Sequence, residues 1–128
     1  MMVSGHVDAA RTLHGVGIVP GVGEGQVLYR RRMDRTGFAE ARGRVVVCDA
    51  VGDSEAVLLV HARPAAVVIT GAVSHSVAAV LREARVPTVG GVTLDTLGLS
   101  SGSGAIVDGQ RGRIWRNALL VSADVTRR

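Results

Sequence analysis

The stretch Thr70-Gly71-Ala72-Val73-Ser74-His75-Ser76-Val77-Ala78-Ala79-Val80-Leu81-Arg82-Glu83 decides how this chain is read. The run Ala65-Ala66-Val67-Val68-Ile69 leads into it, and Pro87 closes it. Five apolar residues ending at Thr70-Gly71 predict a buried strand that runs into a turn. Ser74 is the expected helix N-cap, since its hydroxyl can accept from an otherwise unpaired first-turn amide. Val77, Leu81 and Ala84, with Val80 beside them, form one apolar helical stripe. The unit is strand, small-residue loop, helix, and it sets His75 and Ser76 in the helix's opening turn. Unpaired amides and the positive end of the helix dipole favour an anion such as phosphate there, next to a nucleophilic imidazole.

Working outward, 128 residues are enough for one domain with a real core. The chain is 47% hydrophobic but only 2% aromatic, so Val, Ala, Leu and Ile must build that core. This suits β-strands with small-residue helices and argues against stacking bases on aromatic rings. Net charge is +4, and all 15 basic side chains are arginine. Without lysine there is no Schiff-base chemistry and no phosphate-loop lysine. Arg30-Arg31-Arg32 with Arg35 is the densest positive run, expected as a solvated strand end rather than a nucleic-acid surface.

The lone Cys48 falls in Arg44-Val45-Val46-Val47-Cys48, an expected buried strand. One cysteine forms no internal disulfide, and no metal-ligand spacing exists, so a cytoplasmic chain without metal or intrinsic cofactor is expected. No apolar segment approaches the roughly 20 residues of a membrane span, and residues 1–14 lack a signal-peptide core.

The remaining segments take their places around the central unit. Residues 1–14 are expected to be a flexible leader or short helix, 15–117 the domain, and 118–128 a tail. Gly15 to Gly25 is glycine-crowded, yet no strand precedes it and no following helix is expected, so it is a weak nucleotide-loop candidate. A strand begins at Gly25, and 33–43 is expected as a polar loop. Asp53-Ser54-Glu55 caps a helix from Ala56 to Ala62 that buries Val57, Leu58 and Val60 or Leu59, with Arg63-Pro64 as its breaker. Val86 to Gly91 is a short strand and turn, and Leu94 to Leu99 a further helical turn. Gly104 to Asp108 and Gly112 to Trp115 form a hairpin in which Asp108 makes the turn. His6 and His14 are assigned to the leader, His61 to a structural place at a helix end, and Trp115 to the core or one edge.

Read together, these pieces resemble the swivelling phosphohistidine domain of the phosphoenolpyruvate-utilising enzymes. The similarity runs over about residues 15–116, through Gly17 to Val27, Ala66 to Thr70, Arg82-Glu83, Val86 to Val89, and Val107-Asp108-Gly109 with Gly112. It implies a mobile α/β domain of the swivelling β/β/α type, with small mixed sheets and two or three short helices. It further implies a phosphohistidine carrier, a phosphotransferase component acting in trans with separate nucleotide-binding and pyruvate- or phosphoenolpyruvate-binding proteins. His75 would accept the phosphoryl group, and Gly71, Ser74, Ser76 and Arg82 would hold it. Seven residues separate His75 from Arg82, which puts them on one helical face about 10 Å apart. The sequence departs from the family motif at one place. Aligning Arg82-Glu83 and Pro87 without gaps sets Ser76, not His75, on the phosphorylated histidine, whereas aligning Ser74-His75 with the family's Ser-His requires one extra residue in the helix; one helical position turns a side chain by about 100°. A second reading therefore stands beside the first: a swivel-fold protein without phosphoryl transfer, serving as scaffold or regulatory partner, or as a small enzyme using the helix-start pocket for another anion or acid–base step. Neither reading involves nucleic acid or a membrane, and exposed strand edges leave room for a homodimer.

Overall fold

The computed structural model describes residues 12–93 and 101–116. In chain order the elements are β1 (Leu13–His14), β2 (Val16–Val19), β3 (Val22–Tyr29), α1 (Arg35–Glu40), β4 (Val45–Cys48), α2 (Asp53–His61), β5 (Ala66–Ile69), α3 (His75–Glu83), β6 (Thr88–Gly90), β7 (Gly104–Asp108) and β8 (Arg113–Arg116). Among the described residues the architecture is mixed α/β, with three short helices. In place of several small sheets, one eight-stranded sheet runs in the order β1-β8-β7-β3-β4-β5-β6-β2.

Its centre is parallel. β3, β4, β5 and β6 run in one direction, and α1, α2 and α3 connect them in turn. Every residue of β4, β5 and β6 is buried, as continuous apolar runs covered on both faces require. Strand alternation sends Val46, Cys48, Val67 and Ile69 into one core with Ala56, Leu59, Val77 and Leu81 of the helices. Val45, Val47, Ala66 and Val68 point the other way, into a second core with Ala105, Val107, Ile114 and Leu13. The antiparallel strands β7, β8 and β1 therefore fold back across the face that the helices leave open.

This curling nearly closes the sheet. Its two margins, β1 and β2, are separated in the chain by Gly15 alone. The Gly15 amide donates to Gly112 O at 2.8 Å, beside β8, while a Cβ on Gly15 would collide with Gly90 O of β6. The β7–β8 turn presses equally close: the Gly109 amide donates to Gly21 O, and a Cβ on Gly109 would run into Val19 O. The glycine-crowded segment thus serves close backbone approach and does not form a nucleotide loop.

Several local expectations are corrected. The polar loop at 33–43 contains α1, whose cap is Asp34, with Oδ1 accepting from Gly37 N at 2.7 Å. Gly37 is the buried position of α1, with Met33 and Ala41 buried on either side of it, so no apolar stripe marks the helix. α2 starts at Asp53 rather than Ala56, with Glu55 Oε1 accepting from Gly52 N. It buries Ala56 and Leu59, whereas Val57 and Leu58 are exposed. The chain joins the sheet already at Leu13, which is buried and paired with Ile114. The helical turn expected at Leu94 to Leu99, His6 and the tail at 118–128 lie outside the described residues.

Elsewhere the sequence pattern holds. Ser74 caps α3, accepting from Val77 N at 3.2 Å, and Val77 and Leu81 face the core. The β7–β8 hairpin turns on Asp108, whose Oδ1 accepts from Gln110 N and Arg111 N. α3 ends in a Schellman arrangement, with Val86 N donating to Leu81 O and Arg85 N to Arg82 O. The left-handed residue there is Arg85 (φ 58°), and Arg63 (φ 57°) holds the same position after α2. A non-glycine side chain in that region costs about 1 kcal/mol or more.

Candidate functional site

In a sheet whose parallel strands are joined by helices, the loops at the strands' carboxyl ends carry the groups that meet a ligand. Here β3 ends at Tyr29, β4 delivers Asp49 and β5 delivers Thr70. Asp49 Oδ1 accepts from Thr70 Oγ1 at 3.1 Å and from the Tyr29 hydroxyl at 3.4 Å. Arg31 Nε lies 3.8 Å from Asp49 Oδ2. Backbone bonds fix the frame, from Thr70 N to Cys48 O and from Gly71 N to Asp49 O.

The starts of α2 and α3 lie side by side just beyond. Ser76 Oγ donates to Asp53 Oδ1 at 2.6 Å, tying the first turn of one helix to that of the other. Ser74 Oγ is 3.3 Å from Ser76 Oγ, so two hydroxyls and a carboxylate form a short chain. The first bond within α3 runs from Ala78 N to Ser74 O, so the amides of His75, Ser76 and Val77 precede the helical ladder. Val77 N is taken by the Ser74 cap. Asp53, Ser74, His75 and Ser76 are all exposed.

The predicted site residues therefore divide. Ser74, His75 and Ser76 share the helix start, with His75 the first helical residue. Gly71 lies on the other flank of the same loop, in the wall of a pocket of about 350 Å³ whose lining includes Val16, Ile18, Thr70, Val73 and Gly90. Arg82 lies toward β2, donating from Nη2 to Ile18 O at 3.3 Å. Asp53, Asp49, Thr70 and Tyr29 were missed. Asp53 was read as a cap and the others drew no site reading, because their partners lie at least 20 residues away in sequence. Among the described residues no group of three or more His, Cys, Asp or Glu side chains is placed to hold a metal ion. Nor is any helix among them long and apolar enough to cross a membrane. Beneath the site, burial, then the carboxylates of Asp49 and Glu55, push the Cys48 thiol up to about 12. It stays protonated and is no nucleophile.

No protein-family profile matches the chain, and no curated protein matches it. Solved structures do. The chain is similar to aconitase X of Thermococcus kodakaraensis in its holo-form, at 23% identity and a TM-score of 0.66, over 82% of this chain and 97% of that one. It is similar to a UPF0107 protein solved by NMR in solution, at 17% identity and a TM-score of 0.63, over 80% and 96%. A third likeness is to a potential metal-dependent hydrolase with cyclase activity, at 13% identity and a TM-score of 0.53, over 82% and 75%. At these identities the likeness is one of fold.

These matches correct the resemblance drawn from sequence. The chain's fold sits with aconitase X and the UPF0107 protein and not with phosphohistidine carriers, so the carrier role and the phosphotransferase assignment are withdrawn. The site supplies a physical reason. Ser76, beside His75 and on the phosphorylated histidine in the ungapped alignment, is already bonded to the Asp53 carboxylate, a like charge where a phosphoryl group would have to rest. The nucleotide- and phosphoenolpyruvate-binding partners were expected on the strength of that role alone.

Proposed function

We propose that this chain is the acid–base part of an aconitase-like enzyme that removes water from a hydroxy acid. The observation that carries it is the 2.6 Å bond from Ser76 Oγ to the Asp53 carboxylate at an exposed helix start, with His75 beside it. The likeness of fold to aconitase X, over nearly the whole of that chain, supports it.

Dehydration needs a base for the proton on the carbon beside the substrate's carboxylate and an acid for the departing hydroxyl. As Ser76 Oγ takes the carbon-bound proton, its own passes to Asp53 Oδ1. The electron pair released forms the carbon–carbon double bond, and the hydroxyl on the next carbon leaves as water with a proton from His75. The His75 and Ser76 amides and the helix dipole hold the substrate carboxylate, with Ser74 and Gly71 shaping the loop around it. Arg82 braces β2 against α3 through Ile18.

The finer fold assignment belongs to the same proposal. A curled sheet with helices on one face supports a swivelling β/β/α domain, a type that turns one end toward another protein. The acid–base residues here are exposed beyond the carboxyl ends of β4 and β5. A second chain closes over them and excludes water.

The test is proton exchange followed by NMR in deuterated water with a panel of 3-hydroxy acids. The full chain is assayed alone and with a cell extract lacking it. Exchange or elimination that Ser76→Ala and Asp53→Asn each abolish supports the proposal. No chain-dependent exchange with any member of the panel, or activity that survives both substitutions, overturns it.

A further inference from the structure

The opposite end of the parallel strands carries a different chemistry. The turns feeding β4, β5 and β6 are Ala41-Arg42-Gly43-Arg44, Ala62-Arg63-Pro64-Ala65 and Ala84-Arg85-Val86-Pro87. They hold four arginines and no acidic residue. Because the three strands are parallel neighbours, these turns stand in a row at one edge of the sheet, spanning about 10 Å at ordinary strand spacing. Backbone bonds lock the row: Gly43 N to Arg63 O, Ala65 N to Arg44 O, and Val67 N to Pro87 O. Among the described residues none of Arg42, Arg44, Arg63 and Arg85 is in an ion pair; the nearby Glu40 is taken by Arg30 at 2.9 Å.

A second, independent observation singles out two of them. The turn after α1 adopts its left-handed conformation at a glycine, Gly43 (φ 71°). The equivalent turns after α2 and α3 do so at Arg63 and Arg85, the only non-glycine residues with positive φ among those described. Glycine is the residue that this backbone favours. Arginine at both places works against the local conformation, and both side chains are exposed.

We propose that this arginine row is a docking surface for a carboxylate-rich face of another protein. Guanidinium groups pair with carboxylates in a two-pronged geometry that lysine cannot match, and a rigid row presents them without a large ordering cost. An acidic protein is favoured over nucleic acid, because the row has no aromatic residue on which a single-stranded base could stack and the chain carries no recognised duplex-binding module. The surface lies at the far end of the strands from Asp49 and Ser76, so it stands or falls independently of the dehydration chemistry.

The experiment is anisotropy titration of labelled poly-L-glutamate, and separately of duplex DNA, with the full chain at low and moderate salt. The test variant is Arg63→Gly/Arg85→Gly, and the charge-matched control is Arg113→Gln/Arg116→Gln on β8. Losing two charge-assisted contacts is expected to weaken polyglutamate binding about tenfold or more in the test variant. The control should change little, and Tm should hold or rise in the test variant, since glycine relieves the backbone. Equal weakening by both variants, stronger binding to DNA than to polyglutamate, or no salt-sensitive binding by the native chain overturns the proposal. So does a fall in Tm of more than about 4 °C in the test variant, which assigns these arginines a structural role.

Discussion

Two aspartates in this molecule each stand at a turn, and their surroundings make opposite uses of the same carboxylate. Asp108 is buried, and among the described residues its carboxylate's partners come from its own hairpin: Gln110 N, Arg111 N and the Arg111 guanidinium. Asp53 is exposed, and its partner is the Ser76 hydroxyl on another helix, 23 residues away. A carboxylate satisfied by its own turn holds the chain in shape. One that is open to solvent and holds a distant hydroxyl at 2.6 Å has its remaining lone pairs available to chemistry. The contrast separates an aspartate closed within its own turn from one open to the proposed chemistry, with no appeal to sequence position.

The sharpest way to break the contrast is to remove the distant hydroxyl. Ser76→Ala is expected to lower kcat/KM for the dehydration by about a hundredfold or more, the usual size of a lost acid–base group, with stability changed by less than about 1 kcal/mol. Steady-state kinetics paired with chemical denaturation reads both numbers. If stability collapses and activity per folded molecule does not change, Asp53 and Ser76 are merely a structural tie.

Asp108 should behave in the reverse sense. Asp108→Ala strands two turn amides and a guanidinium, and is expected to cost about 2 kcal/mol while leaving kcat/KM per folded molecule intact. Its bonds, led by that from the Arg111 amide, hold the Asp108 carboxyl below its ordinary value of 3.8. A depressed carboxylate stabilises the fold fully above the unfolded value, and the contribution disappears as pH falls through the folded one. Acid unfolding of the native chain should therefore show a component below pH 4 that Asp108→Asn removes.

A smaller effect probes the cap between the two behaviours. Ser74→Ala removes the acceptor for Val77 N and is expected to cost about 1 kcal/mol by thermal unfolding. It should also slow turnover less than Ser76→Ala, because Ser74 touches the hydroxyl chain without contacting Asp53 in it. Equal slowing by both would move the centre of the site one turn earlier.

Cys48 gives the smallest signal and a clear sign. Its thiol is held up at about 12, chiefly by burial, against 9.0 for an ordinary thiol. The folded state therefore keeps a proton that the unfolded state releases, and this stabilisation is full below pH 9 and lost as pH rises from 9 toward 12. A thiol reagent at neutral pH should label Cys48 only in denaturant. Fast labelling of the native chain would mean that the floor beneath Asp49 opens.

What the sequence revealed and what it withheld follow one physical line. The strand–loop–helix from Ala66 to Glu83, the Ser74 cap and the Asp108 hairpin were legible because each is settled by residues a few positions apart. The shape of the sheet was not, since the glycines at 15 and 109 meet backbone that is far away in the chain. The helix at 35–40 escaped because its one buried residue is Gly37, which writes no apolar stripe into the sequence. His75 stood out by its residue type, whereas Asp53 became visible only once α2 and α3 were side by side. The phosphohistidine resemblance failed for a related reason. It was read from motifs in order along the chain, and one fold serves proteins named for different chemistries.

The single glycine between the two margins of the sheet has a consequence for assembly. Strands β1 and β2 are neighbours in the chain, yet each must wait for a mate made much later: Ile114 for Leu13, Gly90 and Val89 for Val16 and Gly17. Pairings of such long reach cost chain entropy before they return any stability, so they form late. The first described stretch acts as a latch, shutting only after the parallel centre has set, and the molecule's tightness depends on the part of it that folds last.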